Sequence, residues 1–197
     1  MDAIHGDTQR GAAASAPLVL HTYWRSSAAY RVRIGLELKG LSWQARPVHL
    51  VRDGGEQHRP AYRQLNPQQL VPTLEHGDYV LTQSLAILEY LDEIHPHVPL
   101  LPPDAPGRAR VRALAQLIAC DIHPVNNLRV MQYLERELDV PADARSAWTL
   151  HWMAEGLAAM EAMLATSADT GRFCHGDQPG LADVCLLPQL YNARRFA

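Results

Sequence analysis

The sequence predicts a protein of two unlike parts, a small α/β unit of mixed sheet followed by an all-helical unit. Three observations carry this. Between Leu18 and Ile94, apolar runs of strand length alternate with helical periodicity in the order strand, helix, strand, loop, strand, strand, helix. The segment His95 to Gly107 is rich in proline and breaks that order. From Arg108 onward only helical periodicity recurs.

Leu18-Val19-Leu20 is a short apolar run suited to a buried strand, and Val32, Ile34, Leu36 and Leu38 before Lys39-Gly40 read as a helix with a C-terminal stop. Ser26 and Ser27 therefore fall at a helix N-terminus, where unpaired N–H groups favour an anion and where a serine is equally at home as a plain N-cap. Trp43 to Leu50 carries Pro47 and reads as an edge strand; Val51 to Tyr62, with Asp53-Gly54-Gly55, reads as a loop. Val71 to Leu74 and Tyr79 to Leu81 flank His76-Gly77-Asp78 as a hairpin. Ser84 is expected to cap a helix carrying Leu85, Ile87, Leu88, Leu91 and Ile94, with Pro96 ending it.

In the second part, Val111, Leu114, Ile118, Ile122 and Val125 form one apolar stripe. His123 and Asn127, four apart, are expected on another face, with a kink at Pro124. Ala144 to Ala165 carries two apolar stripes and reads as a well-buried helix, its methionines as core filler. The last helix is read from Asp183 to Arg195, with Asp183 reaching back to the Gly180 N–H as half of a capping box. The expected boundaries are a flexible extension over 1–17, a first domain over 18–97, a linker over 98–107 and a helical domain over 108–197.

A chain of 197 residues can bury a proper core, and a net charge of −3 with interspersed signs gives no electrostatic footprint for nucleic acid. Three cysteines, Cys120, Cys174 and Cys185, without C-x-x-C spacing suit reduced thiols and small buried hydrophobes, hence a cytoplasmic protein. No apolar run has membrane-spanning length. Ten histidines show no metal-ligand spacing, and neither a phosphate-binding glycine loop nor a nucleophile elbow is present.

Several motifs together resemble the zeta class of glutathione transferases, the maleylacetoacetate isomerases. They are Arg25-Ser26-Ser27 with Arg31-Val32-Arg33-Ile34, Asp53-Gly54-Gly55, Leu65-Asn66-Pro67 with Val71-Pro72-Thr73-Leu74, and Gln83-Ser84-Leu85-Ala86-Ile87. Asp121-Ile122-His123-Pro124-Val125-Asn126-Asn127 with Arg129 is similar to the bacterial maleylpyruvate isomerases. The likeness runs from Leu18 to the end. Two departures stand out. Ala28 occupies a position where animal members have cysteine, and the family pattern usually continues beyond Arg194-Arg195-Phe196.

The resemblance implies the glutathione transferase fold, a thioredoxin-like N-terminal domain followed by an α-helical C-terminal domain, with glutathione as cofactor, a small diacid as substrate, a homodimer, and cis–trans isomerisation of a maleyl compound in aromatic catabolism. It implies Val71 with a cis Pro72 for the cysteinyl backbone, Gln83 and Ser84 for the γ-glutamyl carboxylate, and Gln57, His123 and Asn127 as further glutathione contacts. A hydroxyl of Ser26 or Ser27, aided by the helix dipole, would favour the thiolate, the form that attacks. Arg25, Arg129 and Arg195 match the family's substrate-side arginines, with Arg194 able to exchange with Arg195, while Arg31 and Arg33 read as structural or partly exposed. Two other readings share the scaffold: a general transferase conjugating electrophiles or α-haloacids, and a non-catalytic binding scaffold. The second is disfavoured, because a scaffold has no need of Ser26, Ser27, Gln83 and Ser84 together.

Overall fold

Strand β1 (Leu18–Thr22) alternates buried and half-buried residues, and it seeds a four-stranded sheet of order β2-β1-β3-β4. The computed structural model describes residues 16–196. The extension expected over 1–17 therefore lies almost wholly outside the described residues. Strand β2 (Trp43–Pro47) runs parallel to β1 on the outer edge, where Pro47 can lack a donor without breaking a ladder. Strand β3 (Thr73–His76) runs antiparallel to β1, and β4 (Tyr79–Thr82) runs antiparallel to β3 on the other edge, with Gly77 in the left-handed conformation of the β3–β4 turn.

Helix α1 (Ser27–Leu38) connects the parallel pair, and its N-cap is Ser26. Val51 to Tyr62 is not the plain loop expected. It holds two 3-10 turns (Arg52–Gly54 and Glu56–His58) and runs into a six-residue helix, α2 (Pro60–Leu65). A helix of under two turns offers too few residues for its periodicity to show, although Pro60 at its first position is a start signal. Helix α3 (Ser84–Ile94) follows β4, and its cap is Gln83 rather than Ser84, which is the first helical residue.

The core of this unit is aliphatic. Leu20 of β1, Leu36 of α1, Leu74 of β3 and Ile87, Leu88 and Leu91 of α3 are fully buried. A buried lysine closes one end. Lys39 Nζ, after α1, donates to Asp92 Oδ1 at 2.7 Å and to the carbonyls of His95 at 2.9 Å and Val98 at 2.7 Å, using all three donors.

The chain divides between Pro99 and Leu100, and the second unit is helical. Helix α4 (Ala105–Gln116) begins inside the expected linker, because Asp104 accepts the Gly107 N–H at 2.8 Å and supplies the cap. Its path then breaks more thoroughly than a kink. A π turn spans Leu117–Ile122, closed by the His123 N–H on the Ile118 carbonyl at 3.0 Å, and a 3-10 turn follows over Pro124–Asn126. Pro124 lacks the N–H that would continue an α-helix, so the backbone is released in two steps.

Helix α5 (Leu128–Arg136) starts afresh with Asn127 as its cap. Helix α6 (Ala142–Ala165) is not the well-buried element its two stripes suggest. Only Thr149, Met153 and Met160 are buried, while Leu150, Trp152 and Met163 stay exposed. Helix α7 (Leu181–Ala193) packs against α4, and Leu181, Val184 and Cys185 of the one and Val111 and Leu114 of the other are buried. It ends before Arg195.

Asp183 makes the half box expected, accepting the Gly180 N–H at 2.8 Å, and its other oxygen accepts the Cys174 N–H at 2.9 Å. Cys174 and Cys185 are buried, but Cys120 is exposed, against expectation, because it lies on the outer side of the π turn. No helix among the described residues is long and apolar enough to cross a membrane.

Candidate active site

The strand register gathers one set of predicted residues at a single end of the sheet. His21 pairs with Thr73, and Thr73 with Thr82, so the exit of β1, the entry to β3 and the exit of β4 lie side by side. Ser26, Val71-Pro72 and Gln83-Ser84 each sit within a few residues of those three points. The exit of β2 belongs to the same end, since Thr22 pairs with Pro47 and accepts the Val48 N–H at 2.8 Å. From there the chain leads directly to Gln57.

Each segment is held in place. Ser26 is half-buried, with φ −79° and ψ 114°, and its Oγ accepts the Ala29 N–H at 3.1 Å. An oxygen so engaged leaves the hydroxyl proton free to donate outward. Ser27 occupies the first helical position, also half-buried. Arg25 is exposed, its guanidinium 5.5 Å from the centre of the Trp24 ring. Arg33, two turns into α1, reaches back to Thr22 Oγ1 at 3.4 Å and to the Trp24 carbonyl at 3.5 Å; burial pushes its pKa down.

The Val71-Pro72 peptide is cis, as expected, and both residues are buried. The carbonyl just before them is clasped twice. Leu70 O accepts from Tyr62 Oη at 2.6 Å and from Asn66 Nδ2 at 2.8 Å, and Thr73 Oγ1 closes the network with Tyr62 at 2.9 Å and Asn66 at 3.1 Å. Desolvation raises the Tyr62 pKa, keeping its phenol a donor. Asn66 was legible only as part of a motif, and its clasping role shows only once α2 folds over the entry to β3.

Gln83 has φ 68° and ψ 116°, an unusual conformation for a residue with a side chain, and its Nε2 donates to Gln68 Oε1 at 2.8 Å. Ser84 is buried, and its Oγ accepts from Arg31 Nη1 at 3.2 Å. Arg31, read from sequence as structural or partly exposed, is in fact only 2% exposed. Gln57 is also buried. Its Nε2 donates to the Leu50 carbonyl at 3.2 Å while its Oε1, buried, has no partner. A buried acceptor without a donor is costly, so this oxygen is suited to a ligand N–H.

Residues 20–103 match the family model described as glutathione S-transferase, N-terminal domain. A probable maleylacetoacetate isomerase from Vibrio cholerae is 50% identical over 179 residues, covering 91% of this chain and 82% of that protein. Among solved structures, a holo maleyl pyruvate isomerase, described as a bacterial zeta-class glutathione S-transferase, superposes with a TM-score of 0.87. It has 47% identity and covers 90% of this chain and 83% of its own. The chain belongs to the zeta class of glutathione transferases. Another similar structure, the maleylacetoacetate isomerase of Anaeromyxobacter dehalogenans, was solved with dicarboxyethyl glutathione and citrate in its active site; it is 46% identical, with a TM-score of 0.78, covering 93% of this chain and 80% of its own.

The remaining residues expected at the site lie in the helical unit. His123 and Asn127 do not share a helix face as expected, because the backbone between them is a 3-10 turn and Asn127 is extended, with φ −67° and ψ 149°. The Asn127 side-chain oxygen accepts the Arg129 N–H at 3.2 Å, so its amide N–H groups are what it can offer a ligand. Arg129 stands exposed in the first turn of α5, and Arg194 and Arg195 are exposed just past α7. Among the described residues no His, Cys, Asp and Glu cluster could hold a metal ion.

Proposed function

We propose that this protein is a glutathione-dependent isomerase converting a maleyl diacid, maleylacetoacetate or maleylpyruvate, into its fumaryl isomer. The observation that carries it is the convergence at one sheet end of a serine-capped helix N-terminus, a cis-proline entry and the Gln83-Ser84 turn. The donors present fit glutathione. Ser84 and the N-terminus of α3 suit the γ-glutamyl carboxylate, Val71 offers backbone to the cysteinyl part, and the Gln57 oxygen suits a peptide N–H.

Glutathione, when bound, would supply a thiol able to add reversibly to the cis double bond and so permit rotation about it, leaving the cofactor unconsumed. The chain's own groups set the conditions for this. Ser26 would offer its hydroxyl proton to a thiol bound at the head of α1, where the N-terminal dipole favours negative charge. Its cap bond to Ala29 fixes the hydroxyl before substrate arrives, which makes it the better placed of the two serines. Ser27 assists from the first turn. Arg25, exposed beside this point, receives a substrate carboxylate and the negative charge that develops on it.

In the helical unit Arg129 and Arg195 are assigned to the diacid, and His123 and Asn127 to glutathione. The family motif supports these four assignments. Residues 18–97 serve as the glutathione-binding domain and the helices from Ala105 onward as the substrate domain. A cytoplasmic homodimer completes the reading. Free thiols at all three cysteines favour a reducing compartment, and the class resemblance favours the dimer.

The test is conversion of both maleyl compounds, followed by absorbance with and without glutathione. Conversion only with glutathione, and without its consumption, supports the isomerase. Stoichiometric loss of thiol points to a conjugating transferase, and absence of glutathione binding by calorimetry points to a scaffold.

A further inference from the structure

Arg31 belongs to the motif that opens α1, yet the proposed chemistry gives it no role. It lies inside α1, 2% exposed, and its Nη1 donates at 3.2 Å to the hydroxyl oxygen of Ser84, the first residue of α3. A charged side chain so deep in a small sheet-and-helix unit carries a large desolvation penalty, which marks the place where it points.

We propose that Arg31 is a positioning residue for the γ-glutamyl carboxylate of glutathione, acting through Ser84. This rests on the reading that Ser84 receives that carboxylate. A serine hydroxyl can accept or donate, and a free rotor would spend part of its time offering lone pairs to an incoming anion. A guanidinium has donors only. With Arg31 holding one lone pair, the Ser84 proton is turned away from Arg31 and is available to the ligand. Burial of Ser84 at 6% exposure, where few waters compete, strengthens the bond and locks the rotamer. The same arrangement recurs at Ser26, whose oxygen is held by the Ala29 N–H, so both serines of the site are prepared as donors by a group behind them.

The test compares dissociation constants for glutathione and for its analogue lacking the γ-glutamyl α-carboxylate, 4-aminobutyryl-cysteinylglycine, in calorimetry. Arg31→Met should raise the glutathione constant about tenfold, as loss of a charge-assisted bond does, and leave the analogue within about twofold. In a Ser84→Ala background the same change should add little. Equal weakening of both ligands overturns the proposal, since a purely structural role predicts it. Where Arg31→Met does not fold, Arg31→Lys replaces it. A loss of more than half of the selectivity for glutathione over the analogue supports the proposal, and unchanged selectivity overturns it. Should Ser84→Ala itself leave glutathione binding intact, the site assignment falls as well, so the two failures are distinguishable.

Discussion

The Ser26 hydroxyl oxygen accepts the Ala29 backbone N–H at 3.1 Å, so one side chain caps α1 and keeps its own hydroxyl proton available for donation at the head of that helix. The two tasks separate by mutation. Ser26→Ala should lower stability by about 1 kcal/mol, the usual loss of a serine cap, and also depress turnover. Ser27→Ala, which removes no cap bond, should leave stability within about 0.5 kcal/mol and reduce turnover less. Urea unfolding beside a turnover assay reads both. A Ser26→Ala variant of native stability and rate would remove the serine from the account.

Gly156 of α6 meets the π turn closely. A Cβ built there would lie 2.2 Å from Ile122 Cγ1 and 2.3 Å from its Cδ1, and Ile122 is buried and short of room to move. Gly156→Ala should destabilise the protein by about 1–3 kcal/mol through overpacking, despite the better helix propensity of alanine. The companion Ile122→Val should recover part of that loss in the double variant. Chemical denaturation of the three proteins checks it.

Glu56 makes the loop between β2 and α2 pH-sensitive. Its carboxylate accepts the His49 N–H at 2.7 Å and pairs with Arg52, which together hold it well below the ordinary 4.5, at about 2. A depressed carboxyl contributes in full above its unfolded value and progressively less as pH falls from about 4.5 towards 2. The protection factor of the His49 amide should therefore fall across that window, its exchange approaching the intrinsic rate. In Glu56→Gln it should already be fast at neutral pH.

The three thiols should differ sharply in reactivity. Burial and the Asp183 hydrogen bond push the Cys174 thiol up to about 12, and Cys185 is fully buried, whereas Cys120 is exposed. A colorimetric thiol reagent on the native protein should label Cys120 quickly and the other two only on unfolding. Cys120→Ser should abolish the fast phase.

The α/β order and a serine cap at the head of α1 were legible from local chemistry, namely strand-length apolar runs and serines before helical periodicity. The cis Val71-Pro72 peptide was implied only by the family resemblance, and Ser26 rather than Ser27 emerges as the cap only in the structure. The role of Gln83 was less legible. Ser84 is the better cap by residue type, but tertiary context puts Gln83 in a positive-φ conformation that ordinary propensity disfavours. Helix α2 was too short to show a period. The pairing of His123 with Asn127 failed because a one-face argument assumes a continuous helix, and Pro124 with the preceding π turn removes it. Arg31 could not be read at all from spacing, since its contact with Ser84 joins residues 53 positions apart.

The thiolate is the centre of the account, and a spectrophotometric pH titration of glutathione bound to the protein tests it most directly. Wild type should show thiolate absorbance developing at a pH well below that of free glutathione, and Ser26→Ala should move that transition back towards the free value. A bound thiol that ionises like the free one, or a transition that Ser26→Ala leaves in place, would contradict the account.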